Sequence, residues 1–120
     1  MKKLGLSALL LLLLAAVLAA NVQQAAALAD KPPQMRTLTG QVTNQENAPL
    51  PQAIVYLKNT KTMAVKTYIA GRDGTYRFNA LSPNVDYQVH AEHHGKKSDT
   101  KTLSSFDSRP TAHINLKIKQ

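Results

Sequence analysis

The sequence predicts an all-β fold, a seven-stranded antiparallel β-sandwich. Two observations predict it. Apolar and polar residues alternate over several short stretches, and residues that favour turns separate these stretches. This is typical of a sandwich in which each strand buries one face. Beyond residue 30 the apolar residues do not follow the spacing of an amphipathic helix.

The first 29 residues are predicted to be a signal peptide that precedes the fold. Lys2 and Lys3 give a basic start, and residues 4–20 form an apolar run without charge. Residues 27–29 read Ala-Leu-Ala, which is the small–x–small pattern of a cleavage site. The remaining chain is therefore expected to be periplasmic or secreted, with membrane contact only through the signal peptide before cleavage.

We place the cut before Asp30, and an earlier cut near Ala19 or Ala20 is the alternative. An uncleaved membrane anchor is the other interpretation. The apolar run favours cleavage because its length, about 17 residues, is at the lower limit for a bilayer span. Residues 30–35, which include two prolines, are predicted to be an extended linker, and residues 36–120 are predicted to be the domain.

The composition excludes several classes of protein. The chain has 15 basic and 7 acidic residues, a net charge of +8, and no cysteine, so it has neither disulfides nor thiolate chemistry. The basic residues, Arg36 among them, are spread along the chain, and we interpret them as surface charges. An anionic envelope polymer is a candidate partner. Nucleic acid is not expected, because no basic stripe alternates with aromatic residues.

Seven segments carry the strand pattern, in the order 36–44, 53–59, 61–70, 75–79, 86–94, 98–104 and 111–119. The alternation directs one set of side chains inward, namely Leu38, Gly40, Val42, Ala53, Val55, Leu57, Tyr76, Phe78, Tyr87, Val89, Ala91, Ile114, Leu116 and Ile118. Between segments, residues 72–74 form a tight Asp-Gly turn in which Gly74 can take positive φ. The segment 98–104 is polar and weakly patterned, which predicts an edge strand.

One stretch of the chain resembles the carboxypeptidase regulatory-like domain. It runs from Gly40-Gln-Val42 through a proline loop and the strand 53–57 to Gly71-Arg-Asp-Gly-Thr-Tyr-Arg-Phe78 and Asp86-Tyr-Gln-Val89. The resemblance covers residues 38–95. It implies a Greek-key, transthyretin-like sandwich. It also implies a non-catalytic role as a folding, docking or spacing element.

Three residues on one predicted strand suggest a metal site. His90, Glu92 and His94 alternate along the segment 86–94, so their side chains are expected on the same solvent-facing side. His113, on the last segment, would join them if the two strands pair. Imidazole and carboxylate ligands suit zinc or copper. The alternative is a set of ordinary exposed polar residues.

Two further groups of residues are candidates for a partner or glycan surface. Tyr56 and Tyr68 are both predicted to face solvent, where they could stack on sugar rings or contact a protein. A stabilising cross-strand pair is the alternative. Thr100, Lys101 and Thr102 lie on the predicted edge strand, which a partner strand could extend.

The leading hypothesis is an exported, non-enzymatic binding or scaffold module of the cell envelope. It would dock a protein partner through a sheet face or an edge strand. The alternatives are a small periplasmic metal-binding protein and a carbohydrate-binding module. We do not expect an enzyme, because neither a nucleophile elbow nor a glycine-rich phosphate loop occurs in the sequence.

Overall fold

A computed structural model of the protein describes residues 34–120, so the predicted signal peptide and most of the predicted linker lie outside the described residues. The segment Gln34–Gln120 is one compact unit. Its strands are β1 Arg36–Thr43, β2 Ile54–Asn59, β3 Val65–Ile69, β4 Thr75–Leu81, β5 Tyr87–His93, β6 Lys96–Lys97, β7 Lys101–Leu103, β8 Thr111–His113 and β9 Leu116–Lys117. Within this segment no helix is long and apolar enough to cross a membrane.

The strands form two sheets, which confirms the prediction of an all-β, sandwich-like fold. The first sheet has the order β4-β1-β8, and β9 also pairs with β1. The second sheet has the order β3-β2-β5-β6, and β7 also pairs with β5. β8 and β9 run parallel to β1, so the prediction of a purely antiparallel sandwich is wrong for the last segment. The predicted count of seven is also wrong, because the short strand β6 precedes the segment 98–104 and the segment 111–119 is divided into β8 and β9.

The core lies between the inner faces of the two sheets, and the predicted alternation is confirmed in each long strand. Leu38, Val42 and Tyr76 are buried in the first sheet, opposite Val55 and Val89 of the second. Large buried apolar side chains each contribute about 1.5–3 kcal/mol relative to exposure, so this layer provides most of the stabilisation. The part of the chain that the structure describes holds no disulfide to add to it.

The last predicted strand is interrupted at Ile114 and Asn115, because the backbone there lies directly on β1. A Cβ atom at Gly40 would overlap the carbonyl oxygen of Ile114. That oxygen accepts a hydrogen bond from the Tyr76 hydroxyl at 2.5 Å. The Oδ1 atom of Asn115 accepts one from the backbone N–H of Gln41 at 3.0 Å. A glycine is therefore required on β1 at the point where β8 ends and β9 has not begun.

Two strands have bounds that differ from the sequence prediction. β3 begins only at Val65, because the Asn59 side chain accepts hydrogen bonds from the N–H groups of Lys61 (2.9 Å) and Thr62 (3.1 Å) and holds a turn there. β4 continues past the predicted end at residue 79 to Leu81. The predicted positive φ of Gly74 is confirmed, at 75°.

Arg36 is buried, so its interpretation as a surface charge is wrong. The residue is only 4% exposed. Its guanidinium donates hydrogen bonds to the carbonyl oxygens of Ser82 (3.0 Å), Val85 (2.8 Å), Ser104 (2.7 Å) and Asp107 (3.3 Å). The planar guanidinium uses its Nη1 and Nη2 groups for these bonds, which fasten two loops to the start of β1, whereas its buried Nε has no hydrogen-bond partner among the described residues.

We expect Gly40→Ala to lower the free energy of unfolding by about 3 kcal/mol or more, because the added methyl group would overlap backbone that cannot easily move. Gly71→Ala is the matched control, since the nearest atom to its Cβ would be a side-chain oxygen of Asp73 at 3.5 Å. We expect that control to change the free energy of unfolding by less than about 1 kcal/mol. Urea unfolding measures both, and equal effects would contradict the role of the Gly40 contact.

Candidate functional site

The solvent-facing side of the second sheet, called the outer face below, carries its side chains in three rows across the strands. Residues directly opposite one another in a sheet share a face, so the strand register defines these rows. They are Ile69–Ile54–Glu92–Lys97, Thr67–Tyr56–His90 and Val65–Lys58–Gln88–Thr102. The outer face is therefore apolar toward β3 and polar toward β6 and β7.

An aromatic pair occupies the centre of the outer face. The rings of Tyr56 and His90 are stacked, with centroids 4.9 Å apart and planes at 10°. A shallow cleft of about 270 Å³ lies beside the pair and is lined also by Lys58, Val65 and Gln88. Since His90 covers one face of the Tyr56 ring, that face is closed to a sugar.

Glu92 completes a polar group next to this pair. Its carboxylate lies 3.5 Å from the Lys97 ammonium. Interaction with the Tyr56 hydroxyl, and secondly with the charge of Lys97, lowers the pKa of Glu92. The same contact with Glu92 raises the pKa of Tyr56. Tyr56 therefore keeps its proton, and Glu92 stays ionised to a lower pH than an ordinary glutamate.

The structure brings together only part of the predicted metal site. His90 and Glu92 share the outer face, as predicted. His94 follows the end of β5 with a φ of 50°, so the strand alternation stops before it, and its ring contacts His93 with centroids 4.0 Å apart. His113 lies on β8 opposite Thr39, in the other sheet.

The predicted placements of His94 and His113 beside His90 are therefore wrong. Among residues 34–120, no three His, Cys, Asp or Glu residues form a group that could hold a metal ion. Zinc or copper at this place would therefore have fewer than three such ligands from the described residues.

The two tyrosines of the predicted glycan surface do not share a face. Tyr68 lies opposite Val55, whose side chain is in the core, so it belongs to the inner side of the second sheet. Its ring contacts the edge of Phe78, with centroids 6.0 Å apart. Tyr56 is on the outer face, and Tyr68 is 40% exposed, so both reach solvent but from opposite sides of the sheet.

The predicted edge strand does lie at a margin of the second sheet, but another part of the chain partly covers it. Thr102 and Lys101 belong to β7, which pairs with β5, and Thr100 precedes them. The Lys101 Nζ donates a hydrogen bond to the carbonyl oxygen of Asn115 at 2.8 Å. An antiparallel bridge also joins Ser98 to Ile118. These groups would obstruct a partner strand that approached this margin.

The opposite margin of the second sheet is β3, and all five of its residues are exposed. The N–H of Ala70 donates to the carbonyl of Ala53, and the N–H of Asn59 donates to the carbonyl of Ala64. Hydrogen-bonded pairs alternate along an antiparallel ladder, so Lys66 and Tyr68 direct their backbone groups toward β2.

Val65, Thr67 and Ile69 consequently direct their N–H and C=O groups away from the sheet, and these outward groups are called the β3 edge below. Within residues 34–120, no strand pairs with this side of β3. The sequence pattern predicts this strand but not its position at the edge of the sheet. Three β-branched residues at alternate positions indicate a strand, but they do not distinguish an edge from a central strand.

The β3 edge is also apolar on the outer face. Ile69 is 67% exposed, Val65 54% and the adjacent Ile54 38%. Natural edge strands are usually protected by prolines, bulges or several charges. β3 pairs with β2 without a register shift, contains no proline and carries a single charge, that of Lys66. This strand therefore has little protection against pairing with another chain.

A second exposed feature is Phe106, which is 95% exposed in the loop 104–109. The loop is nevertheless well fixed. The N–H of Phe106 donates to the Ser104 Oγ at 3.1 Å, and the Arg109 guanidinium binds the Asp107 carboxylate at 2.6 Å. Hydrogen bonds from Arg109 lower the pKa of Asp107 to about 2. The exposure of this residue depends on the loop conformation, so the sequence pattern does not reveal it.

Within residues 34–120, these features define a small β-sandwich domain whose second sheet has an open edge strand, β3, and an outer face that is apolar beside it. The chain belongs to the carboxypeptidase regulatory-like domain family, whose profile matches residues 37–119, and this confirms the resemblance seen in the sequence. A search of curated proteins found no match to this chain.

Several solved structures share the fold at low sequence identity. A variant of the major pilin subunit of Bacillus cereus has 12% identity and a TM-score of 0.57, over 73% of this chain and 31% of the pilin. Catechol 1,2-dioxygenase from an Acinetobacter species has 12% identity and a TM-score of 0.58, over 76% of this chain and 54% of the enzyme.

A dioxygenase domain from a Streptomyces protein, a dioxygenase carbohydrate-binding protein fusion, has 16% identity and a TM-score of 0.53. The match covers 75% of this chain and 82% of that domain. The chain thus spans about a third of the pilin subunit and about half of the Acinetobacter dioxygenase. At these identities the likeness shows the fold alone.

We expect Tyr56→Phe to raise the pKa of Glu92 toward its ordinary value, because the variant loses the hydroxyl group that contributes most to the lowering. Lys97→Gln, the comparison variant, should raise it less. A depressed pKa adds stability above the ordinary glutamate range, and this stability is lost as the pH falls through the folded-state value. Titration of the side-chain carboxyl by NMR measures both variants. An unchanged Glu92 pKa in Tyr56→Phe would contradict the contact.

Proposed function

We propose that this domain is an exported, non-enzymatic docking module of the cell envelope that binds an extended segment of a partner protein along the β3 edge. The observation that carries the proposal is the outward direction of the backbone groups of Val65, Thr67 and Ile69 in a strand with all residues exposed. Strand addition to an exposed sheet edge is a common mode of peptide recognition. The predicted signal peptide supports the envelope location.

The β3 edge offers three N–H donors and three carbonyl acceptors to a partner strand. Each hydrogen bond that forms contributes about 0.5–1.5 kcal/mol net, so the backbone ladder alone gives modest affinity. Further affinity would come from covering Val65 and Ile69 on the outer face. Alternate residues of the partner strand should therefore be apolar, because they would lie beside these two side chains.

Charge indicates the chemistry of the remaining partner positions. Lys66 is the charged residue of β3, and the chain as a whole carries a net charge of +8. An acidic residue of the partner strand beside Lys66 would form an ion pair with it. The overall positive charge of the chain would also raise the association rate with an acidic partner. We therefore propose a partner segment in which apolar and acidic residues alternate.

Glycan binding is less well supported than protein docking. Tyr56 and Tyr68 lie on opposite faces of the second sheet, and Tyr56 is stacked on His90. The two rings therefore cannot stack on one sugar together, and one face of the Tyr56 ring is covered by His90.

We expect Thr67→Pro to reduce partner capture at least tenfold. Proline removes the outward N–H at the middle of the β3 edge, whereas the ladder between β2 and β3 does not use that group. Thr100→Pro is the matched control at the opposite margin, and it also tests the edge that the sequence analysis predicted. Residues 30–120 would be the bait in crosslinking capture from an envelope extract, with circular dichroism to confirm the fold of each variant.

The crosslinked peptides should map to β3 in the unmodified domain. If Thr67→Pro captures the same protein as efficiently as the unmodified domain, the partner does not use the β3 edge. Loss of capture in Thr100→Pro alone would instead assign docking to the margin that contains β7.

A further inference from the structure

We infer that the β3 edge also pairs with the β3 edge of a second copy of this chain, antiparallel and about a two-fold axis at Thr67. The inference rests on the proposed function in that both use the same outward backbone groups. An interface of this kind is isologous, so the strand must be complementary to itself. The register, the side chains and the charges of β3 each satisfy this requirement.

The register is the first argument. Antiparallel strands form hydrogen-bonded pairs only between residues whose backbone groups point toward each other. With the axis at Thr67, the two Thr67 residues are opposite, and each Val65 is opposite Ile69 of the second copy. All three outward residues are then used. An axis one residue earlier would place the two Lys66 side chains opposite each other, which is unfavourable.

The side chains on the outer face are the second argument. Val65 of one copy would lie against Ile69 of the other, and pairs of β-branched residues are favourable cross-strand neighbours. Ile54 lies opposite Ile69 on the next strand, so each half of the interface would cover three exposed apolar side chains. The exposed apolar part of the outer face would become the middle of a continuous sheet that spans both copies.

The charges are the third argument. On the inner side, Lys66 of one copy would lie opposite Tyr68 of the other, where an ammonium group and an aromatic ring attract each other. On the outer face, the row that contains Lys58 would continue into the partner row that contains Glu92. The junction within each extended row is occupied by Val65 and Ile69, so no two like charges are brought side by side there. The net charge of each copy still opposes association, so added salt should strengthen it.

Single cysteines test this register directly, because the sequence has no cysteine of its own. Opposite residues of a hydrogen-bonded pair have Cα atoms about 5.5 Å apart, a distance that a disulfide can span. Thr67→Cys should therefore crosslink to itself under mild oxidation. Val65→Cys should not, since the two Val65 residues would be about 14 Å apart along the strands.

A mixture of Val65→Cys and Ile69→Cys extends the test to the ends of the strand. Each variant alone should stay uncrosslinked, whereas the mixture should give the mixed dimer at least tenfold faster than either alone. Residues 30–120 can be used, because all the described core residues lie within 34–120. Sedimentation velocity of the cysteine-free domain should show a dimer that Thr67→Pro converts to monomer and that added salt stabilises.

The inference is overturned if Thr67→Cys crosslinks no faster than Val65→Cys and the domain sediments as a monomer at all concentrations. If Thr67→Pro then still abolishes partner capture, the edge binds a foreign strand and the proposed function stands. If the cysteine variants crosslink in the predicted pattern and Thr67→Pro still captures the partner undiminished, the inference stands and the docking proposal fails. The edge would be a self-association surface, and the proposed docking function would be wrong.

Discussion

The close approach of the Ile114 backbone to Gly40 determines where β8 ends and how the last segment of the chain reaches the margin of the second sheet. With no Cβ at Gly40, the Ile114 carbonyl can lie on β1 and accept the Tyr76 hydroxyl hydrogen bond. This contact ends β8 and lets β9 continue along β1 toward Ile118, which bridges to Ser98 at the margin of the second sheet. One margin of the second sheet is thereby partly covered, and β3 forms its other margin, with which no strand of the described residues pairs on the outer side.

A buried arginine fixes the opposite end of β1. Arg36 binds carbonyl oxygens of Val85 and Ser104, among others, and so joins the turn after β4 to the loop after β7. A buried guanidinium with this many acceptors restricts both segments, since leaving its donors unsatisfied would be costly. Phe106 is exposed on a loop that is held in this way. The domain therefore combines a fixed frame with exposed apolar groups, among them the side chains beside the β3 edge and Phe106.

Much of the fold could be predicted from the sequence, because alternation is a local property. The inward side chains of β1, β2, β4 and β5 follow from it, and so does the Gly74 turn. The interruption at Ile114 could not be predicted, since it depends on contact with a residue 74 positions earlier in the chain. Arg36 was misjudged for the same reason. Its carbonyl partners come from loops that are distant in sequence.

The candidate site was only partly predictable, because alternation gives the face of a residue but not the neighbours of its strand. His90 and Glu92 share a face as the pattern predicts. His94 follows the strand end and His113 belongs to the other sheet, which local spacing does not reveal. An open edge is likewise a property of the assembled sheet. The sequence shows that Val65, Thr67 and Ile69 alternate, but not that no strand follows them.

The open β3 edge is the central claim, and residue-resolved amide hydrogen exchange tests it most directly. In dilute solution, the amides of Val65, Thr67 and Ile69 should exchange rapidly, whereas those of Lys66 and Tyr68 should be protected by β2. Protection of the first three should grow as the protein concentration rises. Strong protection of all five amides at every dilution, or rapid exchange of Lys66 and Tyr68, would contradict the account.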